Sequence, residues 1–241
     1  MRLLLLITLL MAYPPLHAEQ WRVVGDAQAA PYSFIVEGND KPLGLDVELV
    51  KAVLDEIGIP YTMRLYPWER VVHMLDRGEA DIGFQFIGSP ERMRQYELAG
   101  PLRIGSTVFM TTYKTAIRDW HEFADLTPYV IGQVRGYTYQ SAYDKAVLTR
   151  DTSAHTPNQL VSMLLAGRIG IIVGDRDQLM YFIREQHAEG SVRILPTPLV
   201  EMPRYVAFAK GDSARAAQFS STLERLRQSG ALSVIYRRWQ Q

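Results

Sequence analysis

The chain has 241 residues, 47% hydrophobic and 22% charged, with 26 Lys+Arg against 26 Asp+Glu and no cysteine. That is enough for one large or two small cores, and neither a disordered nor a membrane-embedded composition. With no basic surplus to track a phosphate backbone, no nucleic-acid partner is expected, and without cysteine there is no disulfide, thiol nucleophile or thiol-borne lipid.

The first residues follow the three-part pattern of an export signal. Met1-Arg2 is a short positive start, and residues 3–12 form an apolar core too brief to span a bilayer. Tyr13-Pro14-Pro15 breaks it, and Ala18 is the expected last residue before cleavage. The competing reading is a buried N-terminal helix, which Pro14-Pro15 opposes. A cysteine-free exported chain of this kind fits the Gram-negative periplasm.

Residues 21–25 read as a strand. Pro42, Gly44 and Asp46 then introduce a helix in which Leu45, Leu49, Val50, Val53, Leu54 and Ile57 recur at helical spacing until Gly58 stops it. Residues 61–66 alternate as a strand does. Pro67 suits a first helical position, Val71, Val72 and Leu75 continue an apolar face to Gly78, and 80–84 is the next strand. This β-α-β-α-β order predicts a mostly parallel sheet covered by helices.

Ser89-Pro90-Glu91 marks a further helix start. A β-type run over 107–112 follows Gly100-Pro101, and a strand at 130–132 turns by Gly136 into a helix expected to begin near Tyr137-Thr138. Thr156-Pro157-Asn158-Gln159 is a capping-box pattern for a helix ending at Gly167. A helix over 175–187, strands over 192–195 and 205–209, and helices over 214–228 and 232–239 complete the reading.

Two stretches echo each other. Residues 74–84 and 163–173 both run from a helix end through a glycine stop into a short apolar strand. Each strand then enters a polar, charged segment: Gln85 to Arg92 in the first, Gly174-Asp175-Arg176 in the second. Ligands of open α/β sheets bind beyond the carboxyl ends of the strands. Two such units therefore predict two α/β lobes, each offering one strand end to a shared cleft. The natural division is discontinuous, with one lobe over 19–104 and 204–241, the other over 105–203, and two chain crossings forming a hinge.

Arg92 is the foremost candidate for binding chemistry. It sits at a helix start, where free N–H groups and the dipole favour an anion, and its guanidinium adds a bidentate fork for a carboxylate. The alternative is a surface arginine paired with Glu91 or Glu97. Asp175 could accept from a ligand ammonium or simply cap the following helix, and capping is the commoner use. Thr138 could donate to a ligand or cap its own turn. Tyr32, Trp68 and neighbouring aromatics read as a pocket wall or as core, with Asp26 at the same opening.

No HExxH, nucleophile elbow, phosphate loop or dinucleotide fingerprint occurs, and the five histidines pair with no metal-ligand spacing. Neither a cofactor nor a metal is expected.

Ala30-Pro31-Tyr32-Ser33-Phe34, Leu43-Gly44-Leu45-Asp46-Val47-Glu48-Leu49, Gly78-Glu79-Ala80-Asp81 and Ser89-Pro90-Glu91-Arg92 occur in that order. Gly136-Tyr137-Thr138, Gly167-Arg168 with Asp175, Gly211-Asp212 and the closing Ile235-Tyr236-Arg237-Arg238-Trp239 follow. In this ordered combination the chain resembles the bacterial extracellular solute-binding proteins of family 3, the amino-acid-binding type that serves ABC importers. The resemblance implies an α/β, two-lobed periplasmic-binding-protein fold of type II with a two-strand hinge. It also implies a monomer that takes an amino acid or related carboxylate and delivers it to a membrane permease.

By the same resemblance, Arg92 grips the ligand α-carboxylate, Asp175 holds its amino group, and Thr138 lies in the turn that helps bind the carboxylate. With Tyr32, Trp68, Asp26, Gln85 and Ser89 these form the expected ligand-binding set. The chain departs from the family pattern in several places. The stretch from Asp81 to Ser89 is one residue short, Gln85, Phe86, Ile87 and Gly88 stand where small hydroxylated residues are usual, Ala29 replaces a stacking aromatic, and Tyr137 replaces a threonine. Two rival readings stand beside capture for import: a periplasmic enzyme resembling cyclohexadienyl dehydratase, and a ligand-sensing module without transport.

Overall fold

A computed structural model describes residues 20–239, apart from 37 and 138. The export leader expected over 1–18 therefore lies outside the described residues. Among the described residues no helix is long and apolar enough to cross a membrane.

The chain opens with strand β1 (Trp21–Asp26), followed by the short β2 (Gln28–Ala29), β3 (Ser33–Val36) and β4 (Asn39–Leu43), which form a separate antiparallel sheet. Helix α1 (Leu45–Ile57), β5 (Tyr61–Tyr66), α2 (Trp68–Asp76), β6 (Ile82–Ile87) and the short α3 (Pro90–Gln95) come next. A 17-residue strand, β7 (Tyr96–Thr112), leads through a 3-10 turn at Phe123–Leu126 to β8 (Val130–Val134), α4 (Ser141–Lys145) and β9 (Thr149–Ala154). Then α5 (Pro157–Leu165), β10 (Ile171–Asp175), α6 (Arg176–Glu185), β11 (Val192–Ile194), β12 (Val200–Ala209), α7 (Ser213–Gln228) and α8 (Ala231–Trp239) close the chain.

The main sheet runs β5-β1-β6-β12-β7-β10-β8-β9, with β11 on β7. Strands β5, β1 and β6 pair in parallel at one end, and β10, β8 and β9 do so at the other. Between them β7 and β12 run antiparallel to each other and to their outer neighbours. Right-handed β-α-β units cover both faces of parallel strands with helices, which is why such strands are apolar almost throughout.

Four apolar clusters fill the layers, and they sort by position. Two draw only on residues up to 102 and from 206 onward, centred on Leu49, Leu54, Phe84, Phe208 and Phe219 in one case and Val71, Leu75 and Phe86 in the other. Two draw only on residues 108–200, around Met110, Leu160 and Ile172, and around Phe109, Tyr143 and Ile171. Among the described residues, only β7 and β12 contribute to clusters of both halves.

Most expected elements are present within two or three residues, β6 at Ile82–Ile87 rather than 80–84 among them, and three starts differ by more. β7 begins at Tyr96 and runs through Gly100-Pro101 rather than starting at 107. A bulge makes this possible: Arg204 pairs with Arg103 and Val206 with Ala99, so residues 100–102 face Tyr205 alone and the missing proline N–H falls outside the ladder. α4 starts at Ser141, not near 137, because Tyr139 folds back so that its hydroxyl accepts a hydrogen bond from Val134 N at 3.1 Å. β12 begins five residues before the expected 205. In a smaller shift, α2 begins at Trp68, with Pro67 as its cap residue.

Candidate functional site

The two echoing units build the same local structure. α2 and α5 both end in a turn closed by a glycine in the left-handed region, Gly78 at φ 68° and Gly167 at φ 71°. Arg168 N donates to Met163 O at 3.0 Å, and Glu79 N donates to Met74 O at 2.8 Å, which is the six-to-one bond of a Schellman stop. β6 and β10 follow, and the carboxyl ends of both open onto one cavity of about 420 Å³.

Its wall takes Asp26, Ala29, Tyr32, Trp68, Gln85, Ile87, Arg92, Arg103 and Arg204 from one half. The other half supplies Thr107, Val134, Tyr137, Tyr139, Leu160, Gln178 and the end of β10, including Asp175. Asp26 ends β1, Trp68 follows β5, Gln85 lies in β6 and Asp175 ends β10, so the cavity collects strand ends as an open α/β sheet does.

Arg92 sits in the first turn of α3, which Ser89 caps through its hydroxyl, accepting from Arg92 N at 3.2 Å. Its guanidinium rests over the rings of Phe86 and Tyr96 at 5.4 and 5.7 Å and donates to the Tyr96 hydroxyl at 3.4 Å. The Tyr96 hydroxyl in turn donates to Asp76. Trp68 packs tilted against Phe86 with centroids 4.9 Å apart, so this end of the cavity is an aromatic shelf that carries the Arg92 guanidinium. Burial and the Asp76 carboxylate push the Tyr96 hydroxyl up to about 12.

Asp175 combines both readings left open for it. It caps α6, accepting from Gln178 N at 3.2 Å, and it lines the cavity, where it accepts from the Tyr32 hydroxyl. The Tyr32 bond crosses between the two halves, as does a second one from Gln178 Nε2 to Ala30 O at 3.0 Å. Burial, then the neighbouring Asp175 charge, holds the Tyr32 hydroxyl well above its ordinary value, so Tyr32 stays a donor.

Below Tyr32 lies a buried ion pair. Arg103 Nε donates to Asp46 Oδ1 at 2.7 Å, and the Arg103 guanidinium sits 3.3 Å from the Tyr32 ring centroid. Burial pushes the Asp46 carboxyl up, with Arg103 the chief opposing influence. Burial also works against the Arg103 charge, but Asp46, Tyr32 and Asp175 outweigh it and keep the guanidinium protonated. Gln85 closes the set from β6, at φ 78°, where its Oε1 accepts from Ser33 Oγ at 3.1 Å. A non-glycine residue at positive φ is costly and clusters at binding sites. Asp26 is raised by burial, against hydrogen bonds from the backbone of Gln28 and Ala27.

Of the eight residues expected from sequence, the structure brings Arg92, Asp175, Trp68, Tyr32, Asp26 and Gln85 to this cavity. Ser89 does not line it; its hydroxyl is committed to the α3 cap. Thr138 lies outside the described residues. Sequence reasoning missed Arg103, Arg204, Tyr137, Tyr139 and Gln178. Arg103 and Arg204 stood outside the expected strands, and recognising that β7 and β12 extend through the bulge would have placed them opposite each other. Among the described residues no cluster of His, Asp and Glu is arranged to hold a metal ion.

The sequence matches the profile of the bacterial extracellular solute-binding proteins, family 3, over residues 21–241. A curated relative, the probable amino-acid ABC transporter-binding protein of Haemophilus influenzae, is 25% identical over 218 residues, covering 87% of this chain and 80% of its own. Among solved structures, a histidine kinase sensor domain similar to periplasmic binding proteins superposes with a TM-score of 0.74 at 25% identity, covering 91% of this chain and 95% of its own. The ancestral amino-acid-binding protein AncCDT-1, a precursor of cyclohexadienyl dehydratase, gives a TM-score of 0.74 at 21% identity, with 91% and 95% covered.

Proposed function

Because the chain belongs to the bacterial extracellular solute-binding proteins of family 3, we propose that it captures a small polar ligand, an amino acid or related carboxylate, for an ABC importer. The observation that carries this reading is one cavity holding Arg92 from one half and Asp175 from the other. In this reading the protein is exported to the periplasm, its leader is cut near Ala18, and it acts as a monomer. The two lobes are 19–104 with 204–241, and 105–203.

The ligand carboxylate docks first on Arg92, whose guanidinium lies on the aromatic shelf and keeps donors free for a bidentate bond. The half carrying Asp175 then closes over it and offers the carboxylate to the ligand amino group, with Thr138 assigned to the carboxylate end. Closure is favoured because only the closed form satisfies both ends of the ligand. Micromolar affinity requires about 8 kcal/mol, within reach of two charged grips and aromatic burial after ordering costs.

A thermal-shift screen over amino acids, polyamines and small organic acids tests the reading, since a ligand selective for the native state raises its melting temperature. Zwitterions are expected to give the shifts; a panel without any hit sinks it. Arg92→Ala should weaken the best ligand roughly tenfold or more in calorimetry, the value of one charge-assisted bond. Incubation with prephenate or arogenate should give no product.

A second reading, presentation of bound ligand to a receptor, is favoured by the likeness to the histidine kinase sensor domain. Uptake of the ligand by cells with and without the chain separates the two: import requires the chain, and sensing does not.

A further inference from the structure

Two guanidiniums in the cavity wall have no task in the mechanism above. Arg103 on β7 and Arg204 on β12 stand directly opposite each other across the antiparallel pair, where like charges repel. Arg103 is only 8% exposed, and while its Nε is held by Asp46, its Nη1 is buried without a hydrogen-bond partner among the described residues. The Nη1 of Arg204 is buried and unpartnered in the same way.

Leaving a buried charged donor unpaired is among the more costly defects a fold can carry. The nearby acids do not relieve it. Asp46 Oδ1 accepts from Arg103 Nε while its Oδ2 is itself buried without a partner among the described residues, and Asp175 Oδ1 accepts from the Tyr32 hydroxyl and Gln178 N. Their charges keep Arg103 protonated, whereas burial and Arg103 itself still work against the Arg204 charge, and the two Nη1 groups lack acceptors. Arg92 stands in different company, among Phe86, Tyr96 and the adjoining Trp68. One cavity thus holds two separate cationic sites.

We propose that Arg103 and Arg204 form a second anion site, and that the ligand is a small diacid, one carboxylate held by Arg92 and the other by this pair. This inference rests on the solute-binding reading and narrows it to a substrate class. A plain dicarboxylic acid and an acidic amino acid share the required chemistry.

Calorimetry on the mature protein with matched pairs tests it: L-glutamate against L-glutamine, L-aspartate against L-asparagine, with glutarate and succinate as amine-free diacids. The better acid should bind about tenfold or more tightly than its amide, the discrimination one charged hydrogen bond supplies. Arg204→Met keeps the apolar stem and should bring that ratio to within about threefold, chiefly by weakening the acid. The melting temperature of the same sample reports folding, and Arg204→Lys, which retains the charge, should recover part of the preference.

Equal or tighter binding of the amide overturns the proposal, as does an acid-to-amide ratio that survives Arg204→Met. If none of the six compounds binds while another amino acid does, the diacid assignment fails and solute capture stands. If no amino acid or organic acid binds at all, both fall. Glutarate or succinate matching the amino acids identifies plain dicarboxylates as ligands; binding confined to glutamate or aspartate identifies acidic amino acids.

Discussion

Asp46 has a side chain with no exposed surface, placed in the first turn of α1 and bonded to Arg103 at 2.7 Å. Transfer of such a pair out of water costs several kcal/mol per ion, so its attraction roughly offsets its own desolvation. Removing one partner is different, because the other is left charged and buried. Asp46→Ala should therefore lower unfolding free energy by about 3–5 kcal/mol, read from urea midpoints. The double variant Asp46→Leu with Arg103→Met should lose clearly less than the sum of the singles.

Asp81 presents the opposite sign. Its burial alone would raise the carboxyl, but hydrogen bonds from the Arg22 guanidinium and Arg22 N hold it below the usual carboxylate range. A depressed native pKa contributes stability that is present above pH ~4 and lost as pH falls through the native value. The stability difference between the wild type and Asp81→Asn should thus be full at pH 7 and shrink below pH ~4. A difference constant down to pH 2 would contradict that assignment.

At the scale of elements, three glycine positions show how much of the fold was legible and why. Gly78 and Gly167 stand in open space at positive φ, so alanine there meets only the left-handed backbone penalty, about 1–2 kcal/mol. Gly44, the cap residue of α1, sits at φ 129° with the Tyr32 carbonyl 2.3 Å from where a Cβ would lie. Gly44→Ala should cost clearly more than either stop glycine, and it should also disturb ligand affinity because α1 carries Asp46. Thermal unfolding of the three variants ranks them. The stops were readable because a helix, a glycine and an apolar strand follow in fixed order within eleven residues. β9, with sequence Thr-Arg-Asp-Thr-Ser-Ala, was not, since as an edge strand it carries no apolar alternation.

At the scale of the whole molecule, what sequence could not show was pairing between segments far apart in the chain. Arg92 and Asp175 were found because each follows an echo strand locally. Arg103 and Arg204 lie 101 residues apart and meet only through the register of β7 on β12. The same holds for the contacts between halves: the Tyr32 hydroxyl on Asp175, Gln178 on Ala30, and the Phe34 and Tyr181 rings at 6.1 Å. On the proposed closing of one half over the other, these contacts belong to closure rather than to either core, since each joins a residue of one half to a residue of the other. Tyr32→Phe isolates one of them, because the ring stays against the Arg103 guanidinium while the hydroxyl is lost. A hydrogen bond to a charged acceptor contributes about 1.5–3 kcal/mol, so ligand Kd should rise roughly tenfold or more. If docking on Arg92 precedes closure as proposed, the change should fall on the dissociation rate, with the association rate within about threefold. The urea midpoint of the ligand-free protein should barely move. If stopped-flow instead shows a slower association and an unchanged dissociation rate, the Tyr32 hydroxyl acts in docking, and the latch between the halves must rest on Gln178 and the aromatic pair.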